Sequence, residues 1–149
     1  MRFSAKGEYG IRAIIDVALY GESEPVAVKD ISRRQGIPIR FLEQVMTALK
    51  RGGLVESYRG AAGGYRLART VEAITLADVV EAVEGPVSLM ECVNQPDSGS
   101  CDRITECVIR EVFCDVQTAV VETLTAVRLA DLIKRTAAKE AARVPMFDI

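Results

Sequence analysis

The 149-residue sequence predicts a mainly α fold with one small two-stranded β hairpin, and three observations carry that prediction. Apolar residues recur at helical spacing through most of the chain. A glycine-dense stretch, Arg59-Gly60-Ala61-Ala62-Gly63-Gly64, lies between two short strand-like runs, LVESY and YRLAR. A third pattern runs from Asp102 to about Ala138 without a single Gly or Pro, which predicts a long helix.

Taken in order, residues 5–20 fit a helix with Ile11, Ile14, Ile15, Ala18 and Leu19 on one face. Glu22-Ser23-Glu24-Pro25 breaks it. A short helix of about Lys29 to Gln35 follows, burying Val28 and Ile31. Gly36-Ile37-Pro38 then turns the chain, glycine suiting a left-handed position and proline the first turn of the next helix. That helix is PIRFLEQVMTALKR, residues 38–51, closed by Gly52-Gly53. At about 100° per residue, Phe41, Leu42, Val45, Met46 and Leu49 gather on one side. Arg40, Glu43, Gln44, Thr47 and Arg51 gather on the other.

After the hairpin, TLADVVEAVEG at 75–85 reads as an amphipathic helix ended by Gly85-Pro86. Residues 91–101, ECVNQPDSGSC, read as a loop. Asp102 is a plausible N-cap for the long helix, in which Ile104, Val108, Val112, Val116, Val120, Leu124 and Val127 keep helical spacing. At 1.5 Å per residue it would be about 54 Å long. That exceeds the width of a small domain, so part of it is expected to pack on a second copy as a homodimer. Val144 to Ile149 reads as a frayed tail.

Short helix, tight turn, second helix and glycine-rich hairpin is the order of a winged helix-turn-helix. The polar side of 38–51 is then expected to enter the major groove of double-stranded DNA, with Arg40 and Gln44 facing the bases. Lys50 is expected on the backbone and Arg59, near the hairpin tip, in the minor groove. Arg33, Arg34, Glu43, Thr47, Arg51, Ser57 and Gly60 complete the expected DNA-binding set. Charge agrees with this. Residues 1–70 hold 12 Lys/Arg against 7 Asp/Glu, and residues 71–149 hold 7 against 14, so a basic front half stands ready for a polyanion. A dimer suits a palindromic operator. The expected organisation is a DNA-binding domain at 1–85, a cysteine-containing sensor loop at 86–101, a dimerisation helix at 102–141 and a tail at 142–149.

No run approaches the roughly 18 apolar residues of a membrane span, and the N-terminus does not read as a signal peptide. A cytoplasmic protein without a membrane partner is expected. No phosphate-binding glycine loop, histidine base or recognisable pair of catalytic carboxylates points to an enzyme.

The chemistry lies in MECVNQPDSGSCDRITECVIREVFCD, residues 90–115. This window holds all four cysteines, Cys92, Cys101, Cys107 and Cys114, and the chain has no histidine. Thiols of a cytosolic protein stay mostly reduced, which favours metal or redox chemistry over a disulfide framework. Iron–sulfur clusters favour thiolate ligands, and a helix N-terminus near Asp102 would favour thiolate charge. A bare thiol switch is a second reading. Zinc is a third, without the paired C-x2–4-C knuckles of structural sites. Inert packing is a fourth, and Cys114 fits it best.

KGEYGIRA in the first helix, DISRRQGIPIRFLEQV in the helix-turn-helix and SYRGAAGGYRLAR in the wing together resemble the Rrf-type family of bacterial winged-helix regulators. The resemblance covers nearly the whole chain. It implies a dimeric transcription factor, usually a repressor. Some branches sense iron–sulfur status, redox state or nitric oxide through a cluster. Another branch works by binding a metabolic enzyme instead of a cluster, so a cluster-free regulator controlled by that means or by thiol oxidation is the alternative. For a cluster, the resemblance implies Cys92, Cys101 and Cys107 as ligands, with the 2Fe–2S form expected ahead of 4Fe–4S. The Cys101-x5-Cys107 spacing matches the family; the Cys92-to-Cys101 gap is longer than in several relatives. Arg110 stands where one branch has a ligating histidine. Glu8, in KGEYG, is the expected fourth ligand, donated across the dimer as some relatives do. Cys114 is the alternative, though it lies about 10.5 Å past Cys107 along a helix axis.

Overall fold

Ser4 opens the first helix by accepting a hydrogen bond from the Gly7 N–H, the N-cap arrangement that satisfies a free amide at a helix start. The computed structural model describes residues 3–95 and 103–143. Its elements run α1 (Ala5–Tyr20), α2 (Val28–Gln35), α3 (Ile39–Arg51), β1 (Val55–Tyr58), β2 (Gly64–Leu67), α4 (Leu76–Glu84), α5 (Glu91–Asn94), α6 (Val108–Ala126) and α7 (Leu129–Arg143). This is a mainly α winged helix-turn-helix. Ile14, Val17, Ile31, Ile37, Leu42, Val45, Met46, Leu49, Leu54, Ile74, Val79 and Val83 form one continuous core between α1, α2, α3 and α4.

Two glycines do specific work in the reading unit. Gly36 caps α2 at φ 63°, a left-handed conformation that a Cβ disfavours. Gly64 starts β2 where a Cβ would strike the Val26 carbonyl. That close approach lets Val26 and Tyr65 exchange backbone hydrogen bonds of 2.8 and 2.9 Å, so the wing is anchored just ahead of α2. β1 and β2 pair antiparallel from Val55 opposite Leu67 to Tyr58 opposite Gly64.

Local periodicity misplaces three features. On α1, Gly7, Gly10, Ala13, Ile14 and Val17 are buried, while Ile11, Ile15, Ala18 and Leu19 are half-buried. The small residues let α3 and α4 approach closely, so the inward face follows backbone proximity and not side-chain size. Gly10 lies against Val83 of α4 and accounts for this directly. Phe41, expected on the apolar side of α3, is 55% exposed. The loop expected at 91–101 contains the α5 turn.

The largest departure is the C-terminal helix. The expected continuous helix is two. α6 begins at Val108 with Cys107 as its N-cap, and the expected N-cap, Asp102, lies outside the described residues. Val127 is extended, at φ −88° and ψ 121°. Its carbonyl accepts from the Leu76 N–H at 2.8 Å, and the Leu129 N–H donates to the Ile74 carbonyl at 2.9 Å. These bonds replace helical ones and seat Leu129 in the core, 1% exposed. Asp131 then accepts from the Arg128 N–H at 3.0 Å to start α7. The winged-helix core therefore continues past the boundary expected at residue 85, because Leu129 and the half-buried Ile133 complete it. The expected tail, from Val144, lies outside the described residues.

The seven-residue apolar stripe expected on one helix also divides. Val108, Val112 and Val116 are exposed, whereas Val120, Leu124 and Val127 are half-buried. A four-residue spacing advances about 40° per step around a helix of 3.6 residues per turn, so such a stripe drifts from one face to the next. Among the described residues, no helix is long and apolar enough to cross a membrane.

Candidate nucleic-acid interface and thiol site

α3 presents Arg40, Glu43, Gln44, Thr47 and Arg51 to solvent, all exposed, while Leu42, Val45, Met46 and Leu49 are fully buried behind them. The exposed set steps by three and four residues, which keeps it on one helical face. The Thr47 hydroxyl donates to the Glu43 carbonyl at 2.8 Å, so it offers a partner only its methyl and its lone pairs. Arg40 and Gln44 carry the donors that suit base edges.

The wing joins this face at one point. Lys50 Nζ, at the end of α3, donates to Ser57 Oγ on β1. Arg59 and Gly60 follow at the exposed tip, and Gly60 takes φ 110°. Arg33 is exposed on α2 in a surface pair with Asp30 at 2.9 Å, a type of contact that is easily exchanged.

Arg34 stands apart from the rest of the expected DNA set. Its Nε and Nη2 donate to Asp16 at 3.0 and 2.6 Å, and its guanidinium lies 4.2 Å from the centre of the Tyr20 ring. Asp16 is fully buried and also accepts from Gln35 Nε2 at 2.9 Å. The hydrogen bonds that Arg34 donates to Asp16 raise the Arg34 pKa above its ordinary value, against the opposing effect of desolvation. Arg34 thus ties α1 to the end of α2 and orients the turn into α3. Arg12 reinforces the tie by donating to the Gln35 carbonyl.

Lys6 is the surface cation that periodicity did not single out. It lines the same open concavity as Arg40, Glu43, Gln44, Thr47 and Arg51. Nothing local in KGEYG signals this, since α1 and α3 are brought together only by packing.

At the other end of the chain, Cys92 sits on α5 and Cys107 at the N-cap of α6, both as half-buried free thiols. Arg110, in the first turn of α6, donates from Nε to the Cys92 carbonyl at 2.9 Å. Gln117 donates to Asn94 Oδ1 at 2.6 Å and accepts from the Leu89 N–H at 3.2 Å. The α5 turn is therefore docked on α6, and both thiols lie toward the N-terminal part of that helix. Cys114 is half-buried on the inward side of α6. Cys101 lies outside the described residues, and among the described residues no three candidate ligands form a metal-holding group. Glu8 is exposed and paired with Arg12 at 3.3 Å. The donor chemistry fits an iron–sulfur group: Cys92 and Cys107 offer the soft sulfur ligands that such clusters take.

The family model described as "Rrf2: Iron-dependent Transcriptional regulator" matches residues 3–135. A putative HTH-type transcriptional regulator of Azotobacter vinelandii is 39% identical over 144 residues, which is 97% of this chain and 86% of that relative. Among solved structures, the T. potens IscR structure is similar with a TM-score of 0.73 and 34% identity, over 95% of this chain and 90% of that one. The structure of CymR, the global cysteine regulator of B. subtilis, is similar with a TM-score of 0.71 and 31% identity, over 91% of this chain and 98% of that one.

Proposed function

The chain belongs to the Rrf2 family of transcriptional regulators, and from that membership we propose a cytoplasmic, homodimeric repressor controlled by an iron–sulfur cluster. Its reading face is the exposed side of α3, with Arg59 of the wing in the flanking minor groove. Its cluster ligands are Cys92, Cys101 and Cys107, with Glu8 of the partner subunit as the fourth ligand ahead of Cys114. The form is 2Fe–2S ahead of 4Fe–4S.

The observation that carries the cluster reading is the contact of Arg110 with the Cys92 carbonyl. It ties the turn bearing one thiol to the helix start bearing another. A cluster bound there supplies a soft-ligated iron centre sensitive to redox state, nitric oxide and iron supply. The chain's own residues do the rest. Arg110 and Gln117 couple any shift of α5 to α6. The backbone bonds at Val127 and Leu129 couple α6 to the segment that precedes α4. The unpartnered Val108, Ile109, Val112 and Phe113 give α6 an apolar surface for a second copy. The state of the thiols thereby biases the relative placement of two reading heads. For Glu8, the support is that an exposed ion pair such as Glu8–Arg12 contributes little and releases its carboxylate readily. A carboxylate ligand binds iron more weakly than thiolate, as a labile sensor requires. The second reading is a cluster-free regulator governed by thiol oxidation or by a metabolic enzyme, and the likeness to CymR favours it.

Anaerobic reconstitution separates the two readings. Cys92→Ala, Cys101→Ala and Cys107→Ala should each bleach the visible absorption, and Cys114→Ala should retain most of it. A parent protein that stays colourless under these conditions leaves the cluster-free reading. Glu8→Ala should shorten the lifetime of the colour in air; an unchanged lifetime together with a bleached Cys114→Ala moves the fourth ligand to Cys114.

DNA reading is checked at fixed salt on a palindromic duplex. Arg40→Ala should cost on the order of 1–3 kcal/mol if it makes a bidentate base contact. Arg59→Ala should weaken binding most at A·T-rich steps, where a narrow groove attracts arginine. Parental affinity in both variants would remove this face as the reader.

A further inference from the structure

We propose that Lys6, on the first turn of α1, is a phosphate contact that seats the recognition helix from outside the helix-turn-helix; the proposal rests on the DNA-binding reading above. Lys6 and the exposed side of α3 line one open concavity of about 550 Å³. That space is a groove wall and not a pocket for a small molecule. Its rim carries three cations, Lys6, Arg40 and Arg51, and one anion, Glu43. Among the described residues, none of these three cations has an ion-pair partner. A concave, net positive surface beside a base-reading helix matches the strand that borders a major groove, where phosphates fix register and carry no sequence information.

The side chain, and not the helix end, carries the site. Ser4 caps the N-terminus of α1 through Gly7 and also donates to Glu84, so a carboxylate already occupies the neighbourhood of the first-turn amides. Lys6 is exposed and suits a phosphate as a flexible point charge, with no demand for the planar geometry of a base edge. Because α1 is held to α2 through Asp16 and Arg34, a phosphate held by Lys6 also sets the angle at which α3 meets the groove.

The test uses the full chain as purified without air and two 30-base-pair duplexes, one selected from a random pool by the parent and one scrambled. Affinities are measured from 50 to 300 mM salt. Each lost phosphate contact lowers the slope of log K against log salt by about 0.9 and lowers affinity about 8-fold at 0.1 M salt. For a dimer, Lys6→Gln should flatten the slope by about two and weaken both duplexes by a similar factor. Lys6→Arg should restore the slope. An unchanged slope in Lys6→Gln overturns the proposal, as does a loss confined to the selected duplex, which would make Lys6 a base reader. A parent that enriches no sequence from the pool and does not bind the scrambled duplex instead overturns the DNA-binding reading on which this rests.

Discussion

Asp16→Ala is expected to destabilise the fold by about 3 kcal/mol, at the lower end of the range for breaking a buried ion pair from one side. Asp16 is fully buried and accepts three hydrogen bonds, two from Arg34 and one from Gln35. Removing the carboxylate leaves a guanidinium without its counter-charge. The Arg34 side chain is 28% exposed, so water can partly rehydrate it, which places the cost at the low end. Arg34→Ala should cost at least as much, because the anion it abandons has no path to solvent. Asp16→Asn should fall between Asp16→Ala and the parent, since shape survives and charge does not. The double variant should cost less than the sum of the singles, with a coupling of about 1–3 kcal/mol. Urea unfolding at one protein concentration measures all four. A cost for Asp16→Ala below about 1 kcal/mol would show that the pair does not hold α1 to α2.

The second large effect is expected from two charges on α6. Val112 and Val116 are 51% and 43% exposed in the single chain, one turn apart on its apolar surface. Val112→Asp with Val116→Asp should leave helix content intact, because neither side chain supports the core. It should convert the proposed dimer to a monomer, since two carboxylates would have to be desolvated in an apolar contact. Affinity for a palindromic duplex should then fall about 10²- to 10⁴-fold, the advantage that linking two half-site contacts supplies. Sedimentation and duplex titration measure both. A double variant that stays dimeric locates the interface elsewhere, and one that is monomeric with parental affinity removes the dimer from DNA binding.

Much of the reading unit is legible locally. α3 is short, and its split into a buried and an exposed side needs only the helical period. Gly36 and the glycines of the wing mark turns that the backbone cannot make otherwise. The thiol window is legible as composition. Arg33 and Arg34 show where local reading stops. They are adjacent, identical in chemistry and both expected on DNA, yet one pairs only with Asp30 on its own helix and the other reaches back to Asp16, eighteen residues earlier. The difference arises from the packing of α2 on α1, about 100° of rotation per residue deciding which arginine reaches Asp16.

By itself, the sequence determined the helix-turn-helix, the wing, the apolar and polar sides of α3 and the confinement of every thiol to one window, because each follows from spacing or composition within a few residues. Only the tertiary structure decided that Lys6 stands beside α3, that Arg34 belongs to the frame, that Arg110 docks the Cys92 turn, and that the last long helix stops at Val127. The physical reason is the same in each case. Nothing in the residues around Val127 forbids a helix, and the backbone leaves it there because hydrogen bonds to Ile74 and Leu76, together with a core site for Leu129, stabilise the bent chain more than continued helical bonds.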